Sequence, residues 1–213
     1  MSIVVQDGFE ALTIANLARK VGVAVGAMYR YFDGKDALVA ALQQEAITDL
    51  GNHLAERTEA HAVALAKQPP KVQALARVVM SFVAYLDDAR SASRRHRLVD
   101  AFLSSPSYTL SEGAAREVEA VLEPIFESVE ARFDDAVAAG ALTPGDAAVR
   151  TFVGWAAIHG LDHFRKRDRI VDERRRVSAL VPAAFGALLL GWGADPGDVQ
   201  SALAAVDELA APA

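Results

Sequence analysis

The sequence predicts an all-α protein, and three observations carry that prediction. Ala, Leu, Glu and Arg dominate, while alternating runs of β-branched residues are almost missing. Apolar residues recur by threes and fours: Val72, Leu75, Ala76, Val79, Phe82, Val83 and Leu86 make one stripe. Val118, Val121, Leu122, Ile125, Phe126, Val129 and Phe133 make another. Third, the breaks between such stripes fall at Gly22, Gly34, Pro69-Pro70, Pro106 and residues 140–145, 167–172 and 191–196, which divides the chain into about eight or nine helices.

In chain order, Thr13 is suited to cap a helix carrying Ile14, Leu17, Ala18 and Val21 on its inner face. Gly22 ends it, because glycine accepts the left-handed backbone of a tight reversal. A second short helix is expected over residues 24–31, closed by Asp33-Gly34. Lys35-Asp36 then opens a long amphipathic helix with Leu38, Leu42 and Ala46, running past Leu50 to about residue 61. Two short helices joined by a glycine turn and backed by a third form a helix-turn-helix candidate. The division expected is a small domain over residues 1–46 and a helical body over 47–213. Within that body, segments 147–164 and 176–192 are apolar around more of their circumference than one buried face requires. Pro182 should kink the second segment or begin its helix.

Composition narrows the class. The 213 residues carry a net charge of −6, which argues against a chain-wide nucleic-acid coat. Cysteine is absent, so disulfides, thiolate metal sites and cysteine nucleophiles are excluded. No apolar run approaches the roughly 18–20 residues of a membrane helix, and the N-terminus shows no secretory pattern. A soluble, cytoplasmic protein without membrane partners is expected.

The stretch from Gly8 through Leu38 carries a motif: Gly8-Phe9, Thr13, Ile14-Ala15, Ala18, Gly22-Val23, Met28-Tyr29, Tyr31-Phe32, Lys35 and Leu38. In these positions the chain resembles the DNA-binding signature of the tetracycline-repressor (TetR) family. The resemblance covers about a fifth of the chain. It implies a homodimeric transcriptional regulator, more often a repressor than an activator, with double-stranded operator DNA and a small-molecule effector as partners. It further implies that Thr13, Tyr29, Tyr31 and Lys35 clamp the DNA backbone, and that Ala15, Val25, Gly26 and Ala27 face the bases.

That base-facing set has no hydrogen-bonding side chain. Readout would rest on thymine methyls, backbone groups, Arg30 and DNA shape. Ala24 stands where the family often has Ser or Thr, so the second helix lacks a side-chain cap. Only Met1–Asp7 precede Gly8, where the family has a longer first helix; the expectation is that the natural chain begins upstream. Through Glu45 the cations Arg19, Lys20, Arg30 and Lys35 are outnumbered by Asp7, Glu10, Asp33, Asp36 and Glu45. The alternative reading is therefore a ligand-binding or scaffold dimer that has lost specific DNA recognition.

In the body, Phe82, Tyr85, Phe102, Tyr108, Phe126 and Phe133 fall on segments that surround a small-molecule cavity in the resembled family. They are core residues, pocket residues or both; a hydrophobic effector follows from their chemistry, with Tyr85 or Tyr108 offering a hydroxyl. The family dimerises through a four-helix bundle. Phe152, Trp155, His159, Leu180, Phe185, Leu188, Leu189 and Trp192 are the matching interface candidates. His159 and His163 share a helix face, but no third ligand is placed, so neither a metal nor another cofactor is expected. Ser93–Arg97 and residues 165–169 read as solvated charge runs, and the glutamates between Glu112 and Glu130 as an acidic exposed face. With no nucleophile elbow, P-loop or dinucleotide-binding glycine pattern, no enzymatic activity is expected.

Overall fold

The computed structural model of the chain describes residues 13–91, 93–103 and 110–210. Among these the regular structure is ten α-helices and two 3-10 turns, with no strand. α2 (Val25–Met28) stands where a second short helix was expected; the number of helices exceeds the sequence expectation because α4 (Ala62–Leu65) is a single turn, too short to show a period.

α1 spans Ile14–Val21 and starts as its cap dictates: the Thr13 hydroxyl oxygen accepts the Asn16 amide at 3.1 Å. It stops at Gly22, whose φ of 79° is the left-handed conformation that favours glycine. α2 is shorter than residues 24–31. Ala24 supplies no side-chain acceptor for the free amides of its first turn, and residues 29–31 continue as turns. α3 spans Lys35–Ala60, and the expected boundary between residues 46 and 47 falls inside it. The first-helix segment and Tyr108 lie outside the described residues.

The chain forms two compact units. One draws on residues up to Asn52 and on Ala89–Pro124; the other on His53–Asp88 and on residues from Ile125 onward. The first unit holds α1, α2, most of α3, α6 (Ser93–Leu103) and the start of α7 (Glu112–Ala138). Ile14, Ala18, Met28, Leu38, Val39, Ile47 and Leu50 are buried in it, with Leu98, Val99, Val118 and Leu122. Each of the larger aliphatic side chains among these contributes about 1.5–3 kcal/mol relative to exposure. Two polar ties accompany this core. Gln43 Nε2 donates to the Leu98 carbonyl at 3.4 Å, and the Ser111 amide to the Asp36 carboxylate at 2.7 Å.

The second unit holds α4, most of α5 (Pro70–Ser91), the later part of α7, α8 (Ala147–His163), α9 (Val177–Gly191) and α10 (Pro196–Ala210). α8 packs on α9, and α9 on α10. Asp146 caps α8 by accepting the Val149 amide at 3.1 Å, and Asp168 accepts the first amide of α9, from Val177, also at 3.1 Å. The core is aromatic. Phe82 lies 5.0 Å from Phe185 and 6.4 Å from Phe133, between ring centroids. Gly154 allows the α8 backbone to rest on Phe82, since a Cβ there would stand 2.7 Å from Phe82 Cζ. α9 begins at Val177, so Pro182 neither starts it nor stops it; it sits inside the helix on an exposed face. The glutamates of α7 from Glu112 to Glu127 are exposed and Glu130 is half-buried. Among the described residues no helix is long and apolar enough to cross a membrane.

Candidate nucleic-acid interface and aromatic core

The hairpin of α1 and α2 turns an unusual share of its side chains to solvent. Met28 is buried and anchors α2, with Phe32 half-buried one turn later. Around that anchor Val23, Val25, Tyr29 and Tyr31 are exposed, Tyr31 to 78%. Val21, which the apolar stripe placed on the inner face of α1, is exposed too, at 61%, because the helix ends at the next residue. Ala15, Gly26, Arg30 and Lys35 are exposed too, and Ala27 is half-buried. Thr13 is half-buried; its oxygen is engaged as the cap, while its hydroxyl proton is left to donate outward. Among the described residues, Arg19, Lys20, Arg30 and Lys35 enter no ion pair within 4.0 Å, so their charges are uncommitted. A side chain built at Gly26 meets nothing within 4 Å. Internal packing therefore does not require glycine there, and the bare backbone is open to close approach from outside.

Four of the six effector candidates come together in the second unit. Phe82, Tyr85, Phe126 and Phe133 are buried, and their neighbours are aromatic. Phe133 meets Trp192 edge-on at 5.3 Å, and Phe126 lies 4.8 Å from Phe152 and 6.5 Å from Trp155. A hydrogen bond of 3.1 Å joins the Tyr85 hydroxyl to His159 Nδ1, and Trp155 stacks on the same imidazole at 4.7 Å. Phe102 is half-buried on α6, in the other unit. The His163 ring sits 4.7 Å from that of His159, with its Nδ1 turned onto the His159 carbonyl at 3.0 Å.

The interface candidates divide by burial. Phe152 is exposed; Trp155, Leu180, Leu188 and Trp192 are half-buried; His159, Phe185 and Leu189 are buried within the protomer. Sequence reasoning placed Phe152 here but did not separate the outer face from the buried one. Val149, Phe152 and Val153 on α8 and Leu190 on α9 are exposed between 41% and 57%, and Ala156, Pro182, Ala183 and Ala187 are exposed with them. A helix apolar on every side gives no sign of which side its neighbour covers. The Asp146 cap was also passed over, although an Asp after Gly145 and before an apolar run is a readable start signal.

A hairpin of two short helices with a solvent-facing second helix, on a chain otherwise made mostly of longer helices, has the architecture of a helix-turn-helix. Comparison with known proteins shows what it is similar to. The family model described as "Bacterial regulatory proteins, tetR family" matches residues 2–42. The HTH-type transcriptional regulator BetI 2 of Chromohalobacter salexigens is 35% identical over 60 residues, or 28% of this chain and 29% of that regulator. That match thus spans less than a third of the curated relative. The fold extends further: PfmR, a TetR family transcriptional regulator of Thermus thermophilus, superposes with a TM-score of 0.58 at 17% identity, covering 89% of this chain and 93% of that one. AibR, solved in complex with isovaleryl coenzyme A and operator DNA, superposes with a TM-score of 0.57 at 14% identity, covering 88% and 92%. Residues 2–42 thus resemble the tetR family of bacterial regulatory proteins, and the rest of the chain shares the helical fold of these solved structures.

Proposed function

We propose that the chain is a homodimeric, cytoplasmic repressor that grips operator DNA through α1 and α2 and lets go when a small hydrophobic effector binds its second unit. The observation that carries this reading is the outward set around Gly26: small or apolar side chains facing solvent, bordered by cations with no internal partner. In this reading Thr13, Tyr29 and Tyr31 donate to phosphate oxygens and Lys35 supplies charge at the start of α3. Ala15, Val25, Gly26 and Ala27 meet the base edges, with Arg30 beside them. Discrimination then comes from thymine methyls and DNA shape more than from bidentate hydrogen bonds. The family match over residues 2–42 speaks against a chain that has lost DNA recognition.

Dimerisation is assigned to the outer face of α8 and α9, where Phe152, Val153 and Leu190 would meet their symmetry mates. The effector is assigned to the aromatic region of Phe82, Tyr85, Phe126 and Phe133, with the Tyr85–His159 pair as its polar end. AibR is a precedent on the same fold, holding an acyl thioester and operator DNA together. A hundredfold loss of DNA affinity needs only about 2.7 kcal/mol of coupling between the two sites. α3, which contributes residues to both units, is the lever proposed for it.

The test is fluorescence anisotropy against duplex DNA from immediately upstream of the gene, with a salt series and an unrelated competitor. Tight, competitor-resistant binding is expected. Lys35→Ala should reduce the slope of log affinity against log salt by about one, and Tyr29→Phe should weaken binding without changing that slope. If the native chain binds both duplexes equally, and neither substitution changes anything, the DNA-binding assignment fails.

A further inference from the structure

The second unit carries an open groove of about 300 Å³ between α5 and the end of α7, with Pro70, Ala74 and Arg77 on one wall and Arg132, Asp135 and Ala139 on the other. A smaller recess of about 30 Å³ shares the same two arginines, with Glu59 also in its wall. The Arg132 guanidinium is held by neutral groups: it donates to the Ser81 hydroxyl and, at 3.2 Å, to Thr58 Oγ1. Those hydroxyls fix the orientation of the fork without cancelling its charge. Arg77 is exposed, and among the described residues neither arginine has a carboxylate within 4.0 Å. Burial and then the charge of Arg77 lower the pKa of Arg132, while Asp135, one turn along α7, raises it. Arginine does not deprotonate in proteins, so two like charges share a concave surface with partial compensation only. An anion relieves that repulsion.

We infer that this groove is a binding site for a small phosphate ester, with Arg77 and Arg132 on the phosphate and the organic part lying along Pro70, Ala74 and Ala139. A carboxylate is satisfied by one guanidinium fork; two forks converging on one groove match a doubly charged group with three acceptor oxygens. A polyanion such as nucleic acid fits poorly, because the flanking surface of α7 exposes Glu127 and Asp134. The site is independent of the helix-turn-helix and of the aromatic region assigned to the effector, and it requires no DNA to be measured.

Isothermal titration of the full chain at fixed ionic strength tests it, with phenyl phosphate, inorganic phosphate and phenylacetate as probes. Both phosphates should bind saturably, the ester more tightly, and phenylacetate should not. Arg77→Ala alters an exposed residue that holds no other element in place. It should weaken phenyl phosphate binding by about tenfold or more and leave the melting temperature of the free protein unchanged. Arg132→Lys keeps the charge but loses the fork and should also weaken binding. No saturable binding to the native chain, equal binding by Arg77→Ala, phenylacetate matching the ester, or displacement of the ester by a short unrelated duplex would each overturn the proposal.

Discussion

Two regions of this protein hold apolar side chains in water, the α1–α2 hairpin and the α8–α9 pair, and they do so in different company. On the hairpin, Val21, Val23, Val25, Tyr29 and Tyr31 are interspersed with Arg19, Lys20, Arg30 and Lys35, and Gly26 leaves a gap in the surface. On α8 and α9 the exposed set of Val149, Phe152, Val153, Pro182 and Leu190 is almost free of charge, and beneath it lies a packed aromatic core. Apolar groups mixed with uncommitted cations suit a polyanion that also presents methyl groups. An apolar strip without charge suits a copy of itself. Exposure alone does not distinguish the two; its charged neighbours do.

That contrast can be tested from the core outward. The largest effect is expected from Phe133→Ala, which removes a fully buried ring between Phe82 and Trp192. The loss should be about 3–5 kcal/mol in urea unfolding, and a loss under about 1 kcal/mol would mean that the aromatic cluster does not hold the second unit together. Next comes Val153→Asp, which puts a charge on the outer face of α8, where Val153 is 41% exposed. Self-association should weaken by about 2 kcal/mol or more, roughly thirtyfold, in sedimentation equilibrium. An unchanged dimer, or a native chain that is a monomer, would remove α8 from the interface.

The hairpin should respond more gently. Thr13→Ala deletes the acceptor of the Asn16 amide and should cost about 0.5–2 kcal/mol, visible as faster amide hydrogen exchange along α1. Unaltered protection would show that the cap is dispensable. Gly26→Ala is the smallest and most discriminating change. Since a Cβ there meets open space, the free protein should gain up to about 1 kcal/mol in melting experiments, yet DNA affinity should fall. A variant that gains stability and keeps its DNA affinity would show that nothing approaches the α2 backbone closely.

How far each region was legible in the sequence follows the same division. The caps of the hairpin could be read from local signals: a threonine before an apolar stripe, a glycine where the chain must turn left-handed, an alanine that cannot cap. Its faces could not: of the stripe expected inside, Val21 is exposed and Leu17 half-buried. The stripes of α5 and α7 were plain, and their members are buried or half-buried as the period requires. The candidate site in the body was less legible. Sequence pattern groups Phe185, Leu189 and His159 with Phe152, yet the first three are buried within the protomer while Phe152 is exposed. Phe102 was grouped with Phe82 as an aromatic on a segment that surrounds a cavity in the resembled family, and it lies in the other unit.

By itself, the sequence determined where α1 starts and stops, the opening of α3 at Lys35 and the apolar stripes of α5 and α7. Those properties are set by backbone conformation and hydrogen bonding within a few residues of each position. Only the tertiary structure decided which side of the all-apolar helices α8 and α9 is covered, that Gly154 must be bare for Phe82 to fit, and that Arg77 and Arg132 share one groove. Each of these depends on residues far apart in the chain meeting in space. On an acidic helix such as α7, Arg132 looks like one more surface charge until α3 and α5 close around it with Thr58 and Ser81.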